Sequence, residues 1–215
     1  LTGELQSESI FDADIELIDI RVNETTIVDD DSALEVCFYL TIPFFGLEII
    51  RHAIIFENAP CIRTFLQVKA QNMPKGDFFD VKRLNILDTY PLITENQVLT
   101  AYEFFTRTDG SNELVVSSKP EEFTQGNLLF CQSGKEHGLF FLKESLVFTD
   151  QRPEVEGNFL ISAGSIQTLG WGIRPEEFTS DRYLKTYSSV VGVFSGEEEN
   201  SIIALKEYQK ARNPM

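Results

Sequence analysis

Two histidines, His52 and His137, are the only imidazoles in the chain, so a histidine acid–base pair would need both. Each falls within or beside a run with strand character, and we interpret both as packed or surface residues. Carboxylates are abundant, with 34 Asp and Glu residues. Two carboxylates roughly 5–10 Å apart would suit glycoside cleavage, but sequence spacing selects no such pair. We therefore predict no catalytic residue in this chain.

The single tryptophan offers a different chemistry, the stacking of an aromatic ring on a sugar. Trp171 lies in the run from Leu169 to Arg174, with a glycine on each side. Flanking glycines open an indole to close approach, so Trp171 and Arg174 are the candidate carbohydrate-binding residues. The alternative is a large ring that fills the core, with glycines that relieve crowding.

Metal and cofactor motifs are not recognisable in the sequence. Cys37, Cys61 and Cys131 are widely spaced and form no Cys-x-x-Cys pair, so we predict no zinc or redox centre. One disulfide with a free thiol and three free thiols both stay open. The aspartates at 29–31 lack the alternating ligand spacing of a calcium loop and are interpreted as a solvated turn. No nucleotide-binding or hydrolase motif occurs, and no cofactor is expected.

Alternation with a period of two dominates the chain. In the run from Leu34 to Ile42, apolar side chains at every second position predict one apolar strand face. The remaining predicted strands are Ile18–Val22, Leu47–Phe56, Ile62–Ala70, Val81–Leu87, Val98–Arg107, Leu114–Ser117, Asn127–Gln132, His137–Lys143, Phe159–Ser162, Ile166–Ile173 and Leu184–Phe194. Because no helical pattern separates them, parallel pairing is disfavoured. We predict an all-β fold, a large antiparallel sandwich of two sheets with a C-terminal helix.

One helix is predicted from Ser195 to Arg212. Ser195 and Glu198 have capping-box spacing, acidic residues precede basic ones along the segment, and Pro214 cannot continue it. Its apolar positions recur along one face: Ile202, Leu205, Tyr208 and Ala211. A lone helix after many strands suggests a connector to a further domain. On that interpretation, we expect this face to be partly exposed in the present chain.

Composition narrows the class of partner. The 215 residues include 18 Phe and carry a net charge of −16, which repels phosphate backbones and anionic lipid. We therefore expect neither nucleic acid nor a membrane as partner. No apolar run has membrane-spanning length, and a chain that begins at Leu1 suits either a processed export precursor or a trimmed piece of a longer chain. The location stays open, with export favoured over the cytoplasm.

Several stretches together resemble the N-terminal β-supersandwich domain of glycoside hydrolase family 36, the α-galactosidases or melibiases. The stretches are residues 59–63, 108–115, 126–130, 138–145, 190–193 and 208–214. The resemblance implies a supersandwich related to that of galactose mutarotases at residues 10–194. Residues 1–9 are polar and without periodicity, which predicts a flexible tail. The resemblance also implies that residues 195–215 lead toward a missing catalytic barrel.

The resemblance assigns the chemistry to two carboxylates of that barrel, so neither transfers to any residue of this chain. The chain would support the barrel as a non-catalytic domain, with a carbohydrate and a second copy as further expected partners. Two alternatives stay open. One is a carbohydrate-binding or cell-surface interaction module, and the other is a mutarotase or epimerase in which His52 and His137 converge near a glutamate.

Overall fold

The computed structural model describes residues 15–27, 31–43, 46–70, 89–91, 99–106, 109–117, 122–124, 126–133, 136–144, 157–162, 165–169, 177–196 and 199–212. Several features predicted from the sequence lie outside these described residues. They are the tail at 1–9, the strand Val81–Leu87, and both carbohydrate-binding candidates, Trp171 and Arg174.

Fourteen described strands form two antiparallel sheets. The strands are β1 (Glu16–Ile27), β2 (Asp31–Ile42), β3 (Leu47–Phe56), β4 (Cys61–Ala70), β5 (Thr89–Pro91), β6 (Leu99–Thr106), β7 (Asn112–Ser117), β8 (Glu122–Thr124), β9 (Leu128–Ser133), β10 (His137–Glu144), β11 (Phe159–Ser162), β12 (Ser165–Thr168), β13 (Leu184–Lys185) and β14 (Ser188–Ser195). The large sheet has the order β1-β2-β3-β4-β14-β10-β9-β6-β7, and β13 also pairs with β4. The small sheet has the order β5-β12-β11-β8. The predicted all-β, two-sheet antiparallel class is confirmed.

The two faces of the large sheet are covered by different elements. Phe140 packs in a cluster with the helix α1 (Glu199–Arg212), whereas its neighbour Phe141 packs with Phe159 and Ile161 of the small sheet. Successive side chains of a strand point to opposite faces, so β10 carries both interfaces. The described core therefore has three layers, with the large sheet between the helix and the small sheet.

Gly196 follows β14 directly and precedes the helix. Gly196 has a φ of 88°, a left-handed conformation that favours glycine, and its N–H donates to the Glu136 carbonyl at 2.6 Å. The Asn200 side chain donates to the Ser195 carbonyl at 2.6 Å. Ser195 is the last residue of β14, and the helix begins four residues later than predicted, at Glu199. The expected N-cap role of Ser195 is therefore wrong.

The helix docks on the sheet through most of the predicted apolar face, from which only Ile202 is left out. Its buried residues are Ser201, Ala204, Leu205, Tyr208 and Ala211. The expectation of an exposed face is wrong for Leu205 and Tyr208, which are 9% and 1% exposed, whereas Ile202 is 37% exposed. Small residues on the docked side let the helix backbone approach the strands closely. This choice of face leaves the neighbouring isoleucines toward solvent.

Strand predictions differ from the structure mainly at interruptions. The predicted run Leu184–Phe194 is divided into β13 and β14, because Thr186 bonds to β4 through both its N–H and its hydroxyl. The short strands β5 and β8 were not predicted, since three residues are too few to show alternation.

Among the described residues, no helix has the length and apolar character that crossing a bilayer requires.

Candidate functional site

A broad apolar surface lies on the large sheet where neither the helix nor the small sheet covers it. The strand register places its residues on the same face as Phe141, across β1, β2, β3, β4 and β14. We call the following set the bare apolar face: Leu17, Ile20, Val22, Leu34, Ile55, Ile62 and Val193. Each of these side chains is between 38% and 60% exposed. Contiguous apolar exposure of this kind marks interaction surfaces rather than ordinary solvent-facing sheet.

The bare apolar face includes an open depression. Ile55, Ile62 and Val193 line it together with the turn that joins β3 to β4 at residues 57–60. Its volume is about 690 Å³. Of the lining residues, Glu57 is the only one with an ionisable carboxylate, so this depression is suited to apolar contact rather than acid–base chemistry.

On the opposite face, a buried carboxylate fixes the helix to the sheet. Glu144, at the end of β10, accepts hydrogen bonds from Arg63 Nε at 2.7 Å and from the Ser188 hydroxyl at 2.7 Å. It also accepts from the Tyr208 hydroxyl at 2.6 Å and from the Arg212 guanidinium, both on the helix. One carboxylate thus joins three strands to the end of the helix.

The electrostatics of Glu144 follow from these partners. Burial alone would raise the pKa of the carboxyl group, but the hydrogen bonds from Tyr208 and Ser188 and the charge of Arg63 lower it below its ordinary value. The Tyr208 hydroxyl shows the reciprocal effect, because burial and its bond to the carboxylate raise its pKa. This arrangement holds Glu144 ionised and fully bonded, which makes it a structural anchor rather than a proton donor.

A buried lysine plays the corresponding part on the small-sheet side. Lys143 is 1% exposed, and its Nζ donates to Asn158 Oδ1 at 3.0 Å and to the Leu169 carbonyl at 2.6 Å. These acceptors lie just before β11 and just after β12, so the amine connects the two sheets. Burial lowers the pKa of Lys143 to about 8. Neighbouring residues on one strand therefore anchor opposite layers.

Three potential metal-binding side chains meet on β2 and β3, on the helix-bearing face of the large sheet. Glu35, Cys37 and His52 place one ligand atom each within 4.8 Å of one another, and we call them the donor cluster. His52 Nδ1 lies 2.9 Å from Glu35 Oε1 and 3.4 Å from Cys37 Sγ. Cys37 is 3% exposed, and the side chains of His52 and Glu35 are 12% and 22% exposed.

Residues of β4 hold the imidazole from two further sides. Its other nitrogen, Nε2, lies 3.1 Å from Gln67 Oε1. The Phe65 ring stacks on it with centroids 4.3 Å apart and planes 9° apart. On the far side of Phe65, the Lys185 amine lies 4.0 Å from the ring centroid. The orientation of His52 is therefore fixed by packing and hydrogen bonding together.

The two histidines do not converge. His52 lies on β3, whereas His137 begins β10 and is exposed. Strands β4 and β14 lie between β3 and β10 in the sheet. The residue of β10 that is level with His52 across the sheet is close to Glu144, at the end of β10 opposite to His137. The imidazoles are therefore more than roughly 20 Å apart, from strand spacing and rise per residue. An epimerase site with both histidines and one glutamate is not formed by this geometry.

The three cysteines are free thiols, and all are buried. Burial raises the pKa of Cys61 to about 12 and raises that of Cys131 as well, so both behave as apolar core residues. Burial and the charge of Glu35 also raise the pKa of Cys37. Only Cys37 has a histidine and a carboxylate beside it.

The donor cluster was missed in the sequence analysis because its members lie far apart in the sequence. The β2–β3 hairpin pairs Ile42 with Leu47, and counting back along this register places Cys37 directly opposite His52. Glu35 is the next residue on the same face of β2. A hairpin prediction carried through to its register would have found the cluster. The structure does not test the candidates Trp171 and Arg174, because they lie outside the described residues.

The sequence matches no protein-family model and no curated protein. Among solved structures, the α-galactosidase from Lactobacillus brevis is similar over 91% of this chain, with a TM-score of 0.57 and 12% identity. The GH36 α-galactosidase AgaA from Geobacillus stearothermophilus is similar over 87%, with a TM-score of 0.54 and 10% identity. The galactosidase domain of α-galactosidase-sucrose kinase, AgaSK, is similar over 92%, with a TM-score of 0.52 and 9% identity.

The coverage is unequal on the two sides of each comparison. This chain spans 29% of the Lactobacillus brevis and AgaA chains and 30% of the AgaSK chain. Identities near 10% support a statement about fold and not about activity. The chain therefore has the β-sandwich fold found in part of the GH36 α-galactosidases, as its sequence resemblance implied.

Proposed function

We propose that this chain is a non-catalytic, N-terminal sandwich domain of an α-galactosidase-like glycoside hydrolase, where it supports a catalytic barrel. The observation that carries the proposal is the unequal coverage: nearly all of this chain, but less than a third of each α-galactosidase chain, takes part in the match. In this proposal the two catalytic carboxylates belong to the barrel. The segment that ends with α1 leads toward it.

The bare apolar face is consistent with a domain that packs against the rest of a larger polypeptide. Its seven side chains lie on one sheet surface that is covered elsewhere by the small sheet and, at the far end of β2 and β3, by contacts with Phe178. Burial of apolar area stabilises a contact by about 25 cal/mol per Å² removed from water. We propose that the remainder of the hydrolase polypeptide covers this face. The alternative is that two copies of this chain associate through the same face. Light scattering distinguishes a monomer from such a dimer.

The proposal is tested by reading the coding frame past the codon for Met215. The expected continuation alternates strand and helix patterns, with acidic residues at the ends of strands, as a (β/α)₈ barrel requires. A stop codon at that point, or a continuation without that pattern, would overturn the proposal. Light scattering of the purified chain supplies the second measurement, for which a stable dimer is the outcome that favours self-association.

Carbohydrate contact is a separate part of the proposal, assigned to Trp171 and Arg174. Trp171 is the only tryptophan, so the indole fluorescence of the chain reports this position alone. A galactoside that stacks on the indole should quench or shift the emission, and Arg174→Ala should weaken the titration. Unchanged emission up to millimolar galactoside would remove the carbohydrate-binding assignment and leave the supporting role in place.

A further inference from the structure

We propose that Glu35, Cys37 and His52 form a binding site for a zinc ion, with the fourth coordination position open to water. This site is independent of the proposed function, because it lies on the opposite face of the sheet from the bare apolar face. Nothing in the sequence resemblance implies a metal at these positions.

The ligand set determines which ion fits. Thiolate, imidazole and carboxylate groups together are the ligands of Zn²⁺, whereas Ca²⁺ and Mg²⁺ bind almost wholly to oxygen. Each residue of the donor cluster supplies one of these ligand types. Three protein ligands leave one position of a tetrahedral site unfilled, the arrangement found in zinc sites that keep a bound water.

Two of the three distances between the ligand atoms are close to those of such a site, and the third, between Cys37 and Glu35, is within 4.8 Å. With bonds of about 2.0–2.3 Å, tetrahedral zinc ligands lie roughly 3.2–3.6 Å from one another. Cys37 Sγ and His52 Nδ1 are already 3.4 Å apart. The 2.9 Å between His52 Nδ1 and Glu35 Oε1 would open by a few tenths of an ångström, and the partly exposed glutamate side chain has the freedom to do so.

The surroundings of His52 favour coordination through Nδ1. A histidine that binds metal usually donates its other ring N–H to an oxygen, which fixes the tautomer and the ring plane. Gln67 Oε1 is placed for this role at 3.1 Å from Nε2, and Phe65 stacks on the ring. A simple hydrogen-bonded pair of His52 and Glu35 would not require the buried thiol of Cys37 beside the same nitrogen. The three ligand atoms and the contact of Gln67 with His52 Nε2 therefore favour a single metal position beside His52 Nδ1.

The register of β2 and β3 brings the three ligand residues together on one face of the sheet. Cys37 and His52 are direct cross-strand partners, and Glu35 is the diagonal neighbour of His52 on the same face. Cross-strand pairs of this kind have Cβ atoms about 4.5–5.5 Å apart, and long side chains also reach their diagonal neighbours. Asn23 on the edge strand β1 has its amide 4.0 Å from Cys37 Sγ and flanks the open side.

The test uses the full chain, reduced and freed of metal by chelation, and titrated with Zn²⁺ against a chromophoric chelator. We expect one zinc ion per chain in the parent protein and loss of that ion in Cys37→Ser and in His52→Gln. Gln67→Leu should weaken binding about 10- to 100-fold, as expected for a residue that positions a ligand. The matched controls, His137→Gln and Cys61→Ala, should keep the stoichiometry of the parent.

Cobalt gives a spectroscopic readout of the thiolate ligand itself. Co²⁺ in the same site should show a thiolate-to-cobalt charge-transfer band in the near ultraviolet, and this band should be missing in Cys37→Ser and present in Cys61→Ala. A parent protein that binds no stoichiometric Zn²⁺, or binds Co²⁺ without a thiolate band, would overturn the proposal. So would unchanged Zn²⁺ binding in both Cys37→Ser and His52→Gln, provided that far-ultraviolet circular dichroism shows both variants folded.

Discussion

The two ends of the large sheet carry the same alternating pattern but have different surroundings. Around β10 and β9, apolar side chains on both faces are covered, on one side by the helix and on the other by the small sheet. Around β1 and β2, the face that continues from the small-sheet side is open over part of its length: Ile20 and Val22 are 48% and 60% exposed, whereas Ile42 at the end of β2 is 1% exposed. Alternation therefore specifies which side chains share a face. It does not specify what covers that face.

The two ends also differ in how polar groups are used. At the covered end, the charged groups of Lys143 and Glu144 are buried and bonded, each to a different neighbouring layer. At the open end, the polar side chains gather on the helix-bearing face as the donor cluster, with fewer restraints from other layers. We infer that the covered end determines the stability of the chain, while the open end is available for binding.

Removing the carboxylate that anchors the helix should have the largest effect on the stability of the covered end. Glu144→Ala leaves the half-buried Arg63 without this carboxylate partner and deprives Tyr208 of its acceptor. Loss of one partner of a buried ion pair costs about 3–5 kcal/mol. We expect the free energy of unfolding, measured by urea denaturation, to fall by an amount in that range. An unchanged midpoint would show that the helix does not depend on this anchor.

The same anchor predicts a dependence on pH. The pKa of Glu144 is lower in the folded chain than its ordinary value of 4.5, so its contribution is complete above that value. It is lost as the pH falls through the lowered folded-state pKa. The difference in unfolding free energy between the parent and Glu144→Gln should therefore shrink as the solution is acidified. A difference that stays constant across the acid range would contradict the assignment of an ionised anchor.

Two aliphatic residues of the helix, Leu205 and Ile203, compare a buried with an exposed side chain on the same element. Leu205 is buried against the sheet, at 9% exposure, whereas Ile203 is 54% exposed on the same helix. Leu205→Ala should lower the free energy of unfolding by about 2–4 kcal/mol, because it leaves a cavity. Ile203→Ala removes a side chain of the same size and should change it by less than about 0.5 kcal/mol. Equal effects of the two substitutions would mean that the docked face is misassigned.

Lys143 gives an alkaline test of the layer that the small sheet covers. Its folded-state pKa of about 8 lies below the ordinary lysine value of 10.5, so the folded state releases the proton more readily. Stability contributed by this group should rise between those two pH values, by up to about 3 kcal/mol. Tyrosine and cysteine residues with raised pKa values act in the opposite direction, so the measurement compares the parent with Lys143→Met. The exposed control Lys206→Met should show no such difference in slope.

The smallest effect on stability is expected at the bare apolar face. Ile20→Lys replaces an exposed apolar side chain on an edge strand, and we expect a change within about 0.5 kcal/mol. Binding of an apolar fluorescent dye should decrease in the same variant, because the charged side chain interrupts the apolar surface. A large loss of stability would show that this face is covered within the chain itself.

The sequence predicted the fold class well because antiparallel strands with regular alternation leave a strong local signal. The run from Leu34 to Ile42 forms a strand with its five apolar residues on one face, yet Leu34 is 38% exposed while Cys37 on the other face is buried. Coverage of a strand depends on the layers around it. The docked face of the helix depends likewise on Glu144, which is more than 50 residues away in the sequence.

In the function proposed above, the chain supports catalysis without performing it. The most direct measurement is the turnover of an aryl α-galactoside by the purified full chain, followed from acid to neutral pH. We expect no turnover above that of buffer, because the proposed function assigns both catalytic carboxylates to the barrel. Saturable turnover that co-purifies with the chain and is abolished by a single carboxylate substitution would contradict it.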